Sequence, residues 1–404
     1  MIRVDDALAA VLERVHPSAP VHVPLLEAVG LALTEEVLSD VDSPPHDKAM
    51  VDGYAMIAAD LQEPHADLVV LEEITAGVVP TQTVRRGTAT RIMTGAPIPN
   101  GADVVVMVEH TQFLESSGGQ PTVRVSDQLN AGANIMRQGT AMRRGEQVLA
   151  SGHVIRPIDI GVLGEVGTSA VPVHPQPAVA ILATGNELVS VDKTPGPGQI
   201  RNSNGPMLAA QVARAGGRPR ELGIARDEQD ELARMVSEGL QAQVLLLSGG
   251  VSAGLLDLVP GVLASLGVEQ VFHKVHLKPG KPLWFGTLRS EGGDKLVFGL
   301  PGNPVSSLVC FELFVRPALA RLGGREADRS RCAALLAADH DLRGDRPTYY
   351  PARLTQTDGV AQAKPLNWKG SADLRTLADA NCLICYPAGN HQFHAGDPVE
   401  LLML

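Results

Sequence analysis

Aromatic side chains are scarce, only 3% of 404 residues, so the cores this chain builds are aliphatic. Positive charge is in deficit as well: 34 Lys and Arg stand against 45 Asp and Glu, a formal net charge of −11. A general nucleic-acid binder needs a basic face, and this chain lacks the surplus to make one. A small anionic ligand is not excluded, because a local site can be basic in an acidic protein. No apolar run approaches the ~20 residues that span a bilayer. The N-terminus, Met1-Ile-Arg-Val-Asp-Asp6, lacks the apolar core of a secretory signal. The expectation is a cytoplasmic protein with no membrane association. Four cysteines at this length do not make a disulfide framework. Cys382 and Cys385 are spaced Cys-x-x-Cys, but in an apolar run that reads as a strand, where residues three apart face opposite sides. With no second cysteine pair there is no zinc site, and Cys310 and Cys332 read as filler too.

What the chain has is aliphatic bulk and turns. Hydrophobic residues make up 44%, ample for buried cores, and Gly 41 with Pro 29 make loops frequent. The length suggests roughly two to four domains. The most telling stretch runs from Val244 to Asp257. Four apolar residues, suited to a strand buried on both faces, lead into Ser248-Gly249-Gly250 and then to Asp257 ahead of an apolar helix. In an open α/β sheet such a loop lies at the carboxyl end of a strand, where ligands bind. Taken alone, Asp257 reads as the N-cap of that helix, with Pro260 in its first turn. Nor is the loop a phosphate-loop motif, since no Gly-Lys-Ser/Thr follows.

The chain repeats the pattern. Residues 4–15 have the spacing of an amphipathic helix, and Leu25 to Leu38 read as a short helix running into a strand. A proline-rich loop, Ser43 to Ala55, carries Asp47 and the turn signal Asp52-Gly53. Asp52 alone reads as a turn former, but loops this rich in special residues are where function concentrates. From about 54 to 148 short alternating runs alternate with Gly and Pro turns and no helix follows them. Thr94, at the end of one such run, reads either as a ligand contact or as a turn cap. From 177 to 321 strand, loop and helix alternate, which predicts a doubly wound, mostly parallel sheet. Four loops there follow strands and share one edge: Thr184–Glu187, Ala225–Asp227, Ser248–Asp257 and Pro301–Ser306. Three of them bring acids, Glu187, Asp227 and Asp257, and Lys278 and Lys281 come from a nearby turn. Carboxylates that would repel a phosphate alone can hold Mg²⁺ between themselves and the phosphate. The edge therefore suits a large polyanion with a divalent cation; the alternative is that each acid is a solvated cap. Residues 326–404 return to short alternating runs, and Ser371 reads as a ligand hydroxyl or as a cap on the following helix.

The fold class expected is thus multidomain α/β plus β. A connecting domain spans 1–45 with 145–176, an inserted mostly-β domain 46–144, and the α/β domain 177–325. A C-terminal β-barrel or sandwich spans 326–404.

Six segments, taken together and in order, carry a resemblance. They are Asp47-Lys-Ala-Met-Val-Asp-Gly-Tyr-Ala55, Arg91-Ile-Met-Thr-Gly-Ala-Pro97, Thr184-Gly-Asn-Glu-Leu188, Ser248-Gly-Gly-Val-Ser-Ala-Gly254 with Asp257, Lys278-Pro-Gly-Lys-Pro282, and Leu300-Pro-Gly-Asn-Pro-Val-Ser306. With them the chain resembles, over essentially its whole length, the molybdopterin molybdenumtransferases, the MoeA-like family that includes the gephyrin E domain. The resemblance implies the last step of molybdenum cofactor synthesis. Adenylylated molybdopterin is hydrolysed, molybdate is inserted at the dithiolene, and AMP leaves, with Mg²⁺ or a similar cation required. It implies a four-domain homodimer whose active cleft is shared between subunits, with Asp52 acting from the partner subunit. Glu187, Asp227 and Asp257 would organise the cation. Gly249, Gly250 and Ser306 would hold phosphate or pterin. Thr94, Ser248, Lys278, Lys281, Pro301, Pro304, Arg353 and Ser371 match ligand-side positions. Three departures stand out. Gly139-Thr140-Ala141 replaces a frequent Gly-Glu-Asp, Lys48-Ala49 replaces Asn-Ser, and Glu228 stands where a second Asp is common. The competing reading is a non-catalytic scaffold that binds molybdopterin or a peptide without turnover.

Overall fold

The aliphatic run Val244–Ser248 is a central strand, buried along its whole length. Its alternation divides it between two cores: Val244 and Leu246 pack on one side, Leu245 and Leu247 on the other. Each buried valine or leucine is worth about 1.5–3 kcal/mol, which is why Val244 and the three leucines after it commit the segment to the middle of a sheet. The computed structural model describes residues 1–114, 119–250, 258–291, 293–327, 331–357 and 359–404. They form two compact units, one of 1–35, 152–157 and 170–404, the other of 36–151 and 158–169.

In the first unit the six-stranded sheet runs Arg218–Ala225, Ala178–Thr184, Val244–Ser248, Lys295–Leu300, Trp284–Leu288, Glu269–His273. The first four strands are parallel; Trp284–Leu288 runs against them, and Glu269–His273 pairs antiparallel with it to close one edge. The helices Gln229–Gly239 and Val259–Ser265 contribute Leu232, Val236, Val262 and Leu263 to one core. Asn204–Arg214 and the segment from Val305 to Leu322 contribute to the opposite one. The sheet is doubly wound, as its sequence pattern predicts. In sequence the second parallel strand lies outside the first and the third lies on the other side, so the winding reverses between Ala178–Thr184 and Val244–Ser248. Ligands bind at such a reversal.

The long apolar helix expected to end near Arg321 is interrupted. It runs as Pro304–Cys310, widens into a π turn at Phe311–Val315, and resumes at Arg316–Leu322. Pro317 has no N–H to give the Leu313 carbonyl, and the widening falls just before it. Leu25 to Leu38 also departs from expectation. In place of the helix a 3₁₀ turn forms, Leu25–Ala28, because Gly30 takes φ +82 and ends it; the strand expected after it is present as two short pieces, Ala32–Leu33 and Val37–Leu38. The first helix is Val4–Leu12, with Val4, Leu8 and Val11 buried as its periodicity requires.

The C-terminal strands Arg331–Leu336, Val360–Pro365, Thr348–Thr357, Cys382–Tyr386 and Pro398–Met403 close into a barrel. Cys382 belongs to the barrel core, whereas Cys385 packs against the core of the α/β layer. The pair therefore faces opposite ways. No helix of the described residues is long and apolar enough to cross a membrane.

The second unit is built on a six-stranded sheet ordered Val104–Met107, Gly53–Met56, Thr88–Ile92, Ala66–Ile74, Thr122–Val125, Thr111–Leu114. Between residues 53 and 151 the only helical elements among the described residues are 3₁₀ turns, Ala58–Asp60 and Val108–His110. Gly53 is required here: a Cβ on it would stand 1.9 Å from the Val106 carbonyl oxygen of the neighbouring strand.

Candidate active site

At the reversal of the winding, the ends of Ala178–Thr184 and Val244–Ser248 meet. Gly249 and Gly250 turn there with φ +95 and +63. A Cβ on Gly249 would lie 2.6 Å from the Thr184 carbonyl oxygen, and one on Gly250 2.6 Å from Thr184 Oγ1. The Gly249 N–H donates to the Leu300 carbonyl at 3.1 Å, which ties the glycine turn to the end of the next strand. Asn204 fastens the same junction from a helix start. Its Nδ2 donates to Ser248 Oγ at 2.8 Å and to the Gly302 carbonyl at 2.7 Å. The buried oxygens Thr184 Oγ1 and Asn204 Oδ1 have no hydrogen-bond partner among the described residues.

Two acids join this junction. The Gly185 N–H donates to the Ala225 carbonyl, and the Asp227 N–H to Asn186 Oδ1, each at 3.2 Å, so their loops are cross-tied. The Glu187 carboxylate folds back over Gly185, where an added Cβ would meet it at 2.5 Å. Glu187, Asp227, Ser248, Gly249, Gly250, Pro301 and Pro304 all line one cavity of ≈ 720 Å³. Asp257 lies outside the described residues.

A second cavity, of ≈ 520 Å³, adjoins the first across Pro282, Pro301 and Asn303. Lys278, Lys281, Ser306 and Ser371 line it. The Lys278 N–H donates to the Pro347 carbonyl, and the Tyr349 N–H to the Lys278 carbonyl, both at 2.8 Å, so the lysine turn is laced to the barrel. Ser371 does not cap the following helix. Asp373 does that, accepting from the Thr376 N–H at 3.1 Å. Ser371 instead accepts from Asn303 Nδ2 at 2.9 Å, and its carbonyl takes the Val305 N–H. No carboxylate side chain lines this cavity among the described residues.

Arg353 stands elsewhere. Its Nη1 donates to the Asp379 carbonyl at 3.1 Å, and it lines neither cavity. The arginine that joins Lys278 and Lys281 is Arg346, held by the Leu277 carbonyl at 3.0 Å and flanked by the exposed Asp345. Sequence reasoning missed Arg346 and Asn204. Arg346 precedes a barrel strand by two residues, a place that marks nothing in one dimension. Asn204 is one of two asparagines in Arg201-Asn-Ser-Asn204, and only the fold shows which one reaches the strand ends.

Asp52 and Thr94 belong to the other unit and are brought together there. One oxygen of Asp52 accepts both the Thr94 N–H, at 2.7 Å, and the Thr94 hydroxyl, at 2.6 Å. These two bonds, the hydroxyl's first, hold the exposed Asp52 carboxyl below the usual carboxylate range. Thr94 thus serves as the hydrogen-bond partner of an acid held in its ionised form.

A doubly wound sheet with acids and paired glycines at its winding reversal, joined to a closed barrel that supplies a basic cavity, defines a multidomain α/β protein built to hold a charged ligand. Family models match along the chain: the MoeA N-terminal region (domain I and II) over residues 2–167, a probable molybdopterin binding domain over 180–321, and the MoeA C-terminal region (domain IV) over 333–404. The molybdopterin molybdenumtransferase of Bacillus subtilis (strain 168) is 34% identical over 409 residues, covering 100% of this chain and 94% of that protein. That of Staphylococcus aureus (strain MRSA252) is 33% identical over 411 residues, covering 100% and 95%. A crystal structure of the molybdopterin biosynthesis moeA protein from Pyrococcus horikoshii superposes with a TM-score of 0.84 at 30% identity, covering 100% of this chain and 99% of that one. The chain belongs to the molybdopterin molybdenumtransferase family.

Proposed function

We propose that the chain transfers molybdenum from molybdate to adenylylated molybdopterin and releases AMP, the last step of molybdenum cofactor synthesis, in the cytoplasm. One observation carries the reading: an acid-bearing cavity adjoins a basic one. A pyrophosphate with its cation suits the first, and a free oxyanion the second.

The chemistry closes in protons. Water adds to a phosphorus of the pyrophosphate, the bridging P–O bond breaks, and two phosphate monoesters form with loss of two protons. Molybdate then exchanges two oxo groups for the two dithiolene sulfurs. The two thiol protons and the two from hydrolysis leave with those oxygens as water, and molybdenum keeps its oxidation state. Lys278, Lys281 and Arg346 would neutralise the oxyanion before the exchange, and Gly249 and Gly250 bring main chain close to the phosphates.

Mg²⁺ is tested by the donor set. No group of three or more His, Cys, Asp or Glu among the described residues forms a ready cage. Mg²⁺, however, is commonly held by one or two carboxylates plus substrate phosphates, keeping several waters. Glu187 and Asp227 on one wall fit that arrangement. When bound, the cation offsets charge that develops on the leaving phosphate. The rest falls to the chain: Glu187 and Asp227 would hold the cation against the phosphates, and Asp52, from the partner subunit of a homodimer, orients water or the incoming oxyanion.

Molybdate-stimulated AMP release in the presence of Mg²⁺ is the expected result. Tight binding with no release would support the scaffold instead and point to Ala141, where a carboxylate is missing. Mixing Asp52→Ala with Glu187→Ala subunits should restore release that each lacks alone, since one composite site of each mixed dimer is then intact. A mixture as inactive as its components would rule out a shared cleft. Arg346→Ala should raise the KM for molybdate about tenfold, in line with the loss of one charged hydrogen bond of about 1.5–3 kcal/mol. Arg353→Ala should leave it unchanged. The reverse outcome would return the role to Arg353.

A further inference from the structure

We infer that Ile200 is the platform for the adenine ring, and so the residue that sets nucleotide affinity apart from oxyanion chemistry. The inference rests on the function proposed above. Ile200 is 57% exposed, yet it is a wall of the acid-bearing cavity. Single exposed aliphatics are ordinary on protein surfaces. Ile200 differs in its company: Leu188, Leu258, Val259 and Leu374 line the same cavity, so it is one of several apolar residues around a single concave site.

Its position is fixed. The two-residue strands Leu188–Val189 and Ile200–Arg201 pair in parallel. The Ile200 N–H donates to the Glu187 carbonyl at 2.8 Å, and the Asn202 N–H to the Val189 carbonyl at 2.8 Å. The apolar platform is therefore registered against the acid assigned to the pyrophosphate. A β-branched side chain is stiff at χ1, so little conformational freedom is lost when a ring covers it.

The direction of the ligand follows from charge. Molybdate needs the cations of Lys278, Lys281 and Arg346, and the dithiolene must meet molybdate there. Adenosine is attached across the pyrophosphate from the dithiolene, so it lies on the other side of Glu187, in the acid-bearing cavity. The planar, weakly polar face of adenine suits the apolar residues of that cavity; Leu342, Tyr350 and Trp368 also line the basic cavity, so it is the place molybdate takes there, and not a lack of apolar surface, that assigns adenine to the side of Ile200.

The test compares Ile200→Ser and Ile200→Leu with the unaltered protein, after thermal melts show each is folded. AMP and inorganic pyrophosphate are titrated by calorimetry with Mg²⁺ present, and KM values are measured for adenylylated molybdopterin and molybdate. Ile200→Ser should weaken AMP about tenfold, the scale expected for losing one covered aliphatic side chain, and raise the KM of the adenylylated substrate alike. Ile200→Leu should stay near the parent, and pyrophosphate affinity and the molybdate KM should not move. Unchanged AMP binding in Ile200→Ser overturns the inference. So does an equal loss for pyrophosphate, which would make Ile200 a residue that shapes the loop rather than one that meets the base. Failure of the function is read separately, as AMP binding by the unaltered protein with no molybdate-stimulated release.

Discussion

Glu187→Gln should lower molybdate-stimulated AMP release by about 10²–10³-fold, the usual effect of removing one group that stabilises charge in the transition state, while the melting temperature stays put. Glutamine keeps the shape that folds over Gly185. The backbone bond that fixes the adjoining strand, Ile200 N–H to the Glu187 carbonyl, does not involve the side chain. What changes is charge alone. A neutral amide attracts a divalent cation far less, so the Mg²⁺ concentration giving half-maximal release should rise, and raising Mg²⁺ should recover part of the rate. Asp227→Asn should behave the same way, and the double variant should be little worse than either single one, because groups that hold one ion act as a unit. Steady-state release over a Mg²⁺ series checks all three. A Glu187→Gln enzyme with full rate and an unshifted Mg²⁺ response would remove Glu187 from the site, leaving it a loop carboxylate.

Much of this arrangement was legible in the chain itself, and the reason differs from residue to residue. Val244–Ser248 was readable because a strand buried on both faces has no polar face to show. The turn at Gly249-Gly250 was readable because glycine next to a strand end announces positive φ or close approach, and both occur here. Glu187 and Asp227 could be placed on one edge because parallel strands put all their carboxyl ends on the same side. What the chain could not show was contact between distant segments. Asn204 is 44 residues from its Ser248 partner and 98 from Gly302, and nothing local marks it. Arg346 lies two residues before Thr348–Thr357 and Arg353 in its middle, and only the folded barrel shows which of them joins the lysines. The direction of the edge pair, Glu269–His273 with Trp284–Leu288, stayed open in the sequence because strand direction is a property of the connection, not of the strand. Asp52 and Thr94 were each ambiguous alone. Their mutual hydrogen bonds, across 42 positions, are what give Thr94 a purpose beyond a turn.

Gly249→Ala should destabilise the protein more than Gly250→Ala, and only the second should be rescued by a compensating change. At Gly249 the backbone has φ +95, and an added Cβ would approach the Thr184 carbonyl oxygen to 2.6 Å. That oxygen is main chain at the end of a central strand and cannot rotate away. The left-handed conformation costs an L-residue about 1–2 kcal/mol, and forcing the strand ends apart adds about 1–3 kcal/mol of overpacking. At Gly250 the φ of +63 carries a similar conformational cost, but the close neighbours are side chains, Thr184 Oγ1 at 2.6 Å and Val259 Cγ2 at 2.8 Å. Thr184→Ala removes the nearer of the two. Its hydroxyl has no hydrogen-bond partner among the described residues, so deleting it sacrifices no bond there. The pair Gly250→Ala with Thr184→Ala should therefore be more stable than Gly250→Ala alone, a positive coupling in a double-mutant cycle. The pair Gly249→Ala with Thr184→Ala should show none, because the carbonyl remains. Denaturant unfolding of the six proteins measures both cycles, and AMP release reports whether the turn still serves the phosphates. Equal rescue of both glycine variants would mean that the threonine side chain, and not the main chain of the strand end, sets how closely the two loops approach.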